Sequence, residues 1–197
     1  MATKYDYAVL IDGVDATAVF NKMGGPAVAQ RFLSGDFVLV EAPKPEPPPE
    51  PVLDFTISVD RSVKPIYPDW MKEVMHPELE LAGPTEYDLS KVEKWLARGQ
   101  GTGVVTGNTI YKELQTKNAL ADQLGLADLL AIQAKGLAVF RSLYNGKAVF
   151  GWKSVVQDHH GILFVPCLIE NGGKVVVRWV WLDYYWSSRS PALRFSK

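Results

Sequence analysis

The hydrophobic pattern of this chain changes period several times. Residues 5–11, Tyr-Asp-Tyr-Ala-Val-Leu-Ile, read as a short strand ending at Asp12-Gly13. Helical spacing follows over 15–23, with Asp15 as candidate N-cap and Gly24-Gly25 as the stop. Pro26 suits the first turn of a second helix to Leu33, closed by Gly35, and Phe37–Val40 returns as a strand. These signals predict a β-α-α-β unit over residues 1–42, small enough to be marginal alone and to need a surface to dock on.

A break in composition follows. Of the thirteen prolines, six fall between Pro43 and Pro51, in Glu41-Ala-Pro-Lys-Pro-Glu-Pro-Pro-Pro-Glu-Pro51. Proline fixes φ and has no N–H, so residues 43–51 cannot join a helix or a central strand and favour polyproline II. At about 3.1 Å per residue the run spans roughly 28 Å as a semi-rigid linker. Residues 52–197 form the expected main domain.

Within that domain, Val52–Val59 alternates weakly, as a strand does. Residues 60–87 hold Pro65, Pro68, Pro77 and Pro84 and little period; Pro68–Met75 suggests two helical turns with Trp70 and Val74 inward. Ser90 with Glu93 resembles a capping box, and Val92, Trp95 and Leu96 suggest a helix ending at Gly99. The glycine-rich loop Gly99–Asn108 leads into a helix to about Lys117, capped by Thr106 or Asn108. Residues 119–144 read as a helical layer broken at Gly125 and Gly136.

The last third switches to period two. Lys147–Val156, Ile162–Ile169 and Lys174–Leu182 read as three strands with short connectors, hence an antiparallel meander, with a bulge expected at Pro166. The third strand presents Val175, Val177, Trp179 and Trp181 on one face and Val176, Arg178, Val180 and Leu182 on the other. Both faces are mostly apolar, so both need cover. The helical layer supplies one cover, and the other falls to Val52–Val59, the N-terminal unit or a second chain. The expected fold class is therefore α+β: the small unit, the linker, then helices packed on a three- to four-stranded meander.

Composition narrows the function classes. A net charge of -1 gives no basic field of the kind that nucleic-acid binders commonly carry. The apolar runs fall short of the roughly 20 residues of a membrane span. The opening Met-Ala-Thr-Lys-Tyr has no signal-peptide core, and the single Cys167 permits no internal disulfide, so a cytoplasmic protein is expected.

Candidate chemistry is sparse. Asp12 and Asp15 follow a strand, as Mg²⁺ carboxylates do in some nuclease folds, but a unit of about 40 residues has no room for the further acids required. The glycine loop lacks the Lys-Ser/Thr ending of a phosphate-binding loop and is expected to follow a helix. His159 and His160 share a predicted turn, away from His76, and no zinc-ligand spacing occurs. Cys167 on a strand is expected to be buried and inert, and nothing in the spacing singles out Asp183 with Glu170 as an acid–base pair. No catalytic residue, metal ligand or cofactor site is assigned. The ending does combine aromatic and basic residues: Trp179, Trp181, Tyr184, Tyr185, Trp186 and Arg189 are the candidate binding residues. Rings of this density serve a core, a protein contact or stacking on single-stranded nucleic acid.

The segments Gly146–Val155 and Trp181–Phe195, the latter closing in Pro-Ala-Leu-Arg-Phe, resemble a family of uncharacterised bacterial proteins. Ile11-Asp-Gly-Val-Asp15 and Arg31–Val40 are similar to the same group. The resemblance implies a bacterial origin and carries no activity. The expected role is a non-enzymatic interaction or assembly protein, binding a protein partner or itself. The alternatives are an enzyme of unrecognised type and a single-stranded nucleic-acid-binding protein.

Overall fold

The computed structural model describes residues 10–11, 14–22, 24–36 and 52–196, and the chain separates into two compact units, Met1–Glu50 and Pro51–Lys197. In the first, β1 (Leu10–Ile11) and β2 (Val14–Asp15) pair antiparallel, and α1 (Ala16–Lys22) and α2 (Pro26–Leu33) follow. The strand expected over Phe37–Val40 and the proline run lie outside the described residues.

The second unit is α+β. Its elements in chain order are β3 (Thr56–Ser58), β4 (Met71–Val74), β5 (Glu86–Asp88), β6 (Glu93–Trp95) and β7 (Val105–Thr106). Helices α3 (Gly107–Thr116), α4 (Leu126–Ala134) and α5 (Gly136–Tyr144) come next. The chain then runs through β8 (Val149–Phe150), β9 (Val156–Asp158), β10 (Leu163–Asn171), β11 (Lys174–Trp181), β12 (Tyr185–Trp186) and β13 (Ala192–Arg194). α4 starts after Gly125, and α5 starts at Gly136, whose φ of 84° turns the chain between the two helices at the predicted position.

Strand β10 organises a seven-stranded mixed sheet. One edge of β10 pairs along its length with β11, and the other takes β9 at Leu163–Phe164 and β8 at Cys167–Leu168. β4 adds to β9, and β13 adds to β8 in parallel before pairing with β6. The expected three- to four-stranded meander is corrected to part of this larger mixed sheet, because β4, β13 and β6 add to its edges, and its first strand is two short pieces separated by a turn of 3₁₀ helix at Trp152–Ser154. Pro166 explains the break without the expected bulge: register between β10 and β11 runs on from Phe164 to Asn171. Pro166 directs its carbonyl to Gly151, on the interrupted side, so its missing N–H falls where no ladder partner is needed.

Two sequence expectations are corrected. Ser90–Gly99 is not a helix. The Asp88 carboxylate accepts hydrogen bonds from Ser90 N and Oγ, a 3₁₀ turn spans Leu89–Lys91, and the chain then extends as β6. Pairing with β13 and the Arg194–Glu93 contact at 2.7 Å override the weak helical spacing. Pro68–Met75 forms no helix either: after one turn, closed by Met71 N–H to Pro68 O, the chain becomes β4 on the edge of β9.

The period of two sorts the core. Val149, Leu168, Val175 and Leu193 face α4 and α5, packing on Leu129, Ile132, Val139, Phe140 and Tyr144. Leu53, Phe55, Ile57 and Val59 join this cluster, so Val52–Val59 covers the same face as the helices. Phe150, Val165, Cys167 and Ala192 face the other way, onto Ile110, Tyr111 and Leu114 of α3 with Trp152, Leu182 and Trp186. One chain therefore covers both sheet faces over most of their extent, and the demand inferred from β11 for an outside cover is met largely from within.

Trp186 fixes where α3 starts. Its ring lies edge-on to Trp152 at 5.4 Å and tilted against Phe150 at 5.0 Å, directly over Gly107. A Cβ at Gly107 would stand 2.1 Å from the indole and 2.8 Å from Leu182 O. Glycine is needed here for close approach rather than for flexibility. Gly107→Ala is expected to cost at least about 2 kcal/mol in denaturant unfolding, the scale of overpacking a tight core. A loss below about 0.5 kcal/mol would show that Trp186 can move aside.

Candidate functional site

Of the six candidate binding residues, the structure gathers three. Trp179 and Trp181 lie on the α4/α5 side of β11, opposite Pro166 and Phe164, beyond the part of the sheet that the helices cover. Tyr184 stands edge-on to Trp181 at 6.0 Å and 80°. Two residues that the sequence pattern did not assign complete the surface. Trp70 meets Phe164 at 5.0 Å and Trp179 at 5.9 Å, and Tyr67 meets Trp179 at 5.9 Å. Trp70 is 40% exposed, Trp181 39% and Tyr184 60%. The signal for Tyr67 and Trp70 was present as aromatics in a proline-rich stretch, but placing them on β11 needs contacts more than a hundred residues apart in sequence.

The other three candidates go elsewhere. Tyr185 is exposed, pairing through its backbone with Thr106 in the separate β12–β7 ladder. Trp186 is core. Arg189 is exposed and donates from Nε and Nη2 to Gly146 O, beside a hollow of about 500 Å³ that also includes Lys147 and Glu170. Arg178 sits on the opposite face of β11 from Trp179, and Arg194 is engaged with Glu93. Rings and cations therefore do not alternate along one surface.

A buried charged cluster holds the segment that carries Tyr67 and Trp70. β3 and β5 pair antiparallel at the base of residues 59–85, with Val59 N–H donating to Thr85 O. Just inside, Arg61 donates to Asp128 Oδ1 at 2.5 Å and Oδ2 at 3.3 Å, and also to Pro84 O. The two side chains are 8% and 0% exposed. Asp128 additionally accepts from Tyr87 Oη and from Gly125 N–H, which caps α4. Lys153, buried, donates to Ala82 O at 2.9 Å, and burial lowers its pKa.

Glu80 is the strained member. It is buried, its pKa is raised chiefly by loss of solvent, and neither carboxylate oxygen completes a hydrogen bond of normal geometry. Tyr67 Oη and Ser154 lie beside it, and Tyr67 is itself pushed up by burial and by the Glu80 charge. The same Tyr67 thus touches Trp179 at the surface and Glu80 beneath it.

The remaining chemistry is placed as follows. His76 Nε2 meets Tyr111 Oη at 2.6 Å, whereas His159 and His160 occupy the β9–β10 turn, where Asp158 accepts from His160 N–H and Ile162 N–H. Cys167 is buried and its thiol is pushed up to about 12. The glycine loop follows β6, a strand and not the expected helix, yet the α3 N-terminus is closed. Gly107 N–H donates to Tyr184 O, Asn108 N–H to Leu182 O and Thr109 N–H to the Thr106 cap. Those amides are not available to a phosphate. A hollow of about 370 Å³ is lined by Tyr87, Asp88, Lys91, Asp122, Phe195 and Ser196, and the Ser196 hydroxyl donates to Lys91 O at 3.1 Å.

Truncating an exposed ring and a core ring separates surface from interior. Trp181→Ala is expected to change stability by less than about 1 kcal/mol, and Trp152→Ala to cost about 3–5 kcal/mol. Equal losses would place Trp181 in the core. Glu80 gives a pH test with a definite sign. Its folded pKa is raised, so as pH rises above the ordinary carboxylate range the unfolded chain ionises first and stability falls until the folded group also ionises. Glu80→Gln is expected to leave stability at pH 4 nearly unchanged and to raise it at pH 8 by about 1–3 kcal/mol, the cost of a buried unpaired group. A lower stability at pH 8 would mean that the ionised carboxylate is held by favourable contacts.

No family model matches the chain, and no curated protein or solved structure matches it.

Proposed function

We propose that this chain is a non-enzymatic protein-interaction protein, with a small unit (residues 1–42) joined by a proline-rich linker (43–51) to a main domain (52–197) that presents an aromatic contact surface. The observation that carries the reading is the ring cluster Tyr67, Trp70, Phe164, Trp179, Trp181 and Tyr184, of which Trp70, Trp181 and Tyr184 are exposed and the others half-buried, on a sheet that its own chain covers over most of its extent. Large rings left partly in water forgo burial that a partner would supply, and Trp and Tyr dominate the energetic centres of protein interfaces. Stacking on single-stranded nucleic acid is supported less well, because Trp186 is internal and Arg178 lies on the other face. Among the described residues, no helix is long and apolar enough to cross a membrane.

The test compares wild type with a Trp70→Ala/Trp181→Ala chain, using light scattering at micromolar concentration and quantitative capture from the native host. The double variant is expected to melt within a few degrees of wild type and to lose self-association or partner recovery by at least about tenfold, equivalent to about 1.4 kcal/mol. Undiminished binding in the double variant would refute the assignment of this surface.

A further inference from the structure

Arg189, a candidate binding residue by sequence, does not join the aromatic face and instead lines a hollow at the other end of β10. The hollow arises where a ladder stops. β8 pairs with β10 at Val149–Leu168, and one ladder step further Lys147 N–H turns back to Tyr144 O in the turn that closes α5. In an antiparallel ladder a residue aims both its N–H and its C=O at a given partner strand, or both away from it. Pro166 aims its carbonyl away from β11, at Gly151, and Glu170 shares its parity along the strand. Glu170 N–H therefore points to the edge that Lys147 leaves unpaired. The space has a volume of about 500 Å³ and its lining includes Lys147, Ala148, Ile169, Glu170, Asn171 and Arg189. Small-molecule sites commonly occupy about 300–1,000 Å³.

The charged groups of the lining do not cancel. Its one acid, Glu170, is matched from outside: Arg141, which is not part of the lining, donates to both carboxylate oxygens. Lys147 is half-buried and has no ion-pair partner among the described residues. Arg189 donates from Nε at 3.2 Å and Nη2 at 3.1 Å to Gly146 O, which fixes the direction of its guanidinium. Both Nη1 hydrogens and the second Nη2 hydrogen are left over. An oriented guanidinium, an uncompensated ammonium and a backbone N–H match the oxygens of a carboxylate or phosphate. Ala148 and Ile169, both half-buried, give the same hollow an apolar part.

We propose that this hollow binds a small organic oxyanion, a metabolite bearing a phosphate or carboxylate group, with Arg189 and Lys147 holding the anionic group and Ala148 and Ile169 against the carbon skeleton. The site goes beyond the contact surface proposed above and stands or falls separately from it, because that surface lies at the Phe164 end of β10.

The experiment titrates the full chain with citrate, with glycerol 3-phosphate and with uncharged glycerol at constant ionic strength, following backbone amide shifts. At least one of the two anions is expected to saturate with a Kd of about 5 mM or tighter, and to move the amides of Lys147, Glu170, Asn171 and Gly172, while glycerol moves none of them. The tighter anion assigns the group as carboxylate or phosphate. Arg189→Gln and Lys147→Gln are each expected to weaken binding at least about fivefold, the scale of one charged hydrogen bond. Lys112→Gln, the same charge change at an exposed position of α3, is expected to weaken it less than about twofold. Glu170→Gln is expected to tighten binding at least about twofold, because it removes the carboxylate of like charge. If Arg189→Gln lowers the melting temperature, Lys147→Gln decides, since that side chain has no ion pair to lose. Equal weakening in Lys112→Gln and the two hollow variants would show a diffuse field and overturn the site. Weaker binding in Glu170→Gln would make the acid a ligand and overturn the anionic class. Failure of both anions to saturate, or shifts that leave the hollow's amides unmoved, overturns the proposal.

Discussion

The Arg61–Asp128 ion pair is the contact on which the exposed surface of this protein depends. It lies inside the base of a long irregular segment and joins three things: the start of that segment at Arg61, its return at Pro84, and the first turn of α4 through Asp128. Two charges withdrawn from water gain net stability only when geometry and further hydrogen bonds compensate their lost solvation. Here Tyr87 Oη, Gly125 N–H and the Pro84 carbonyl complete the set. Removing one partner from such a pair generally costs about 3–5 kcal/mol, because the other charge stays buried and alone.

With that clamp closed, the chain between it has limited freedom. Lys153 holds Ala82, β4 adds to the edge of β9, and Tyr67 and Trp70 are set against Phe164 and Trp179. The aromatic face is thus assembled from two parts that are distant in sequence, a strand of the main sheet and a clamped loop. Its unsatisfied elements are internal: the Glu80 carboxylate and the Tyr67 hydroxyl beside it are both buried without a completed hydrogen bond. A ring surface beside a buried acid that resists ionisation couples the proposed contact surface to stability in one segment.

The sequence made the periodic elements legible and the irregular ones not. Helices with several apolar positions at 3.6 spacing, α3 to α5, and the strands β10 and β11 with period two lie close to their expected bounds. Ser90–Glu93 and Pro68–Met75 misled because each is a single short turn, and a few residues of helical spacing weigh less than one ladder partner on a sheet edge. Trp179 and Trp181 were recognised as unusual. Their exposure followed from where α4 and α5 end over the sheet, which no local pattern encodes. Arg61 and Asp128, 67 residues apart, gave no signal at all.

The clamp is tested most directly by native-state hydrogen exchange in Arg61→Met, a change that keeps the bulk of the side chain and removes its charge. The account predicts that the amides of Met71–Val74 and of residues 79–83 exchange faster by at least about tenfold relative to those of β10 and α4, with tryptophan emission moving to the red as Trp179 loses its neighbours. Exchange that rises equally in β10, α4 and the segment, or that stays unchanged in the segment, would contradict it.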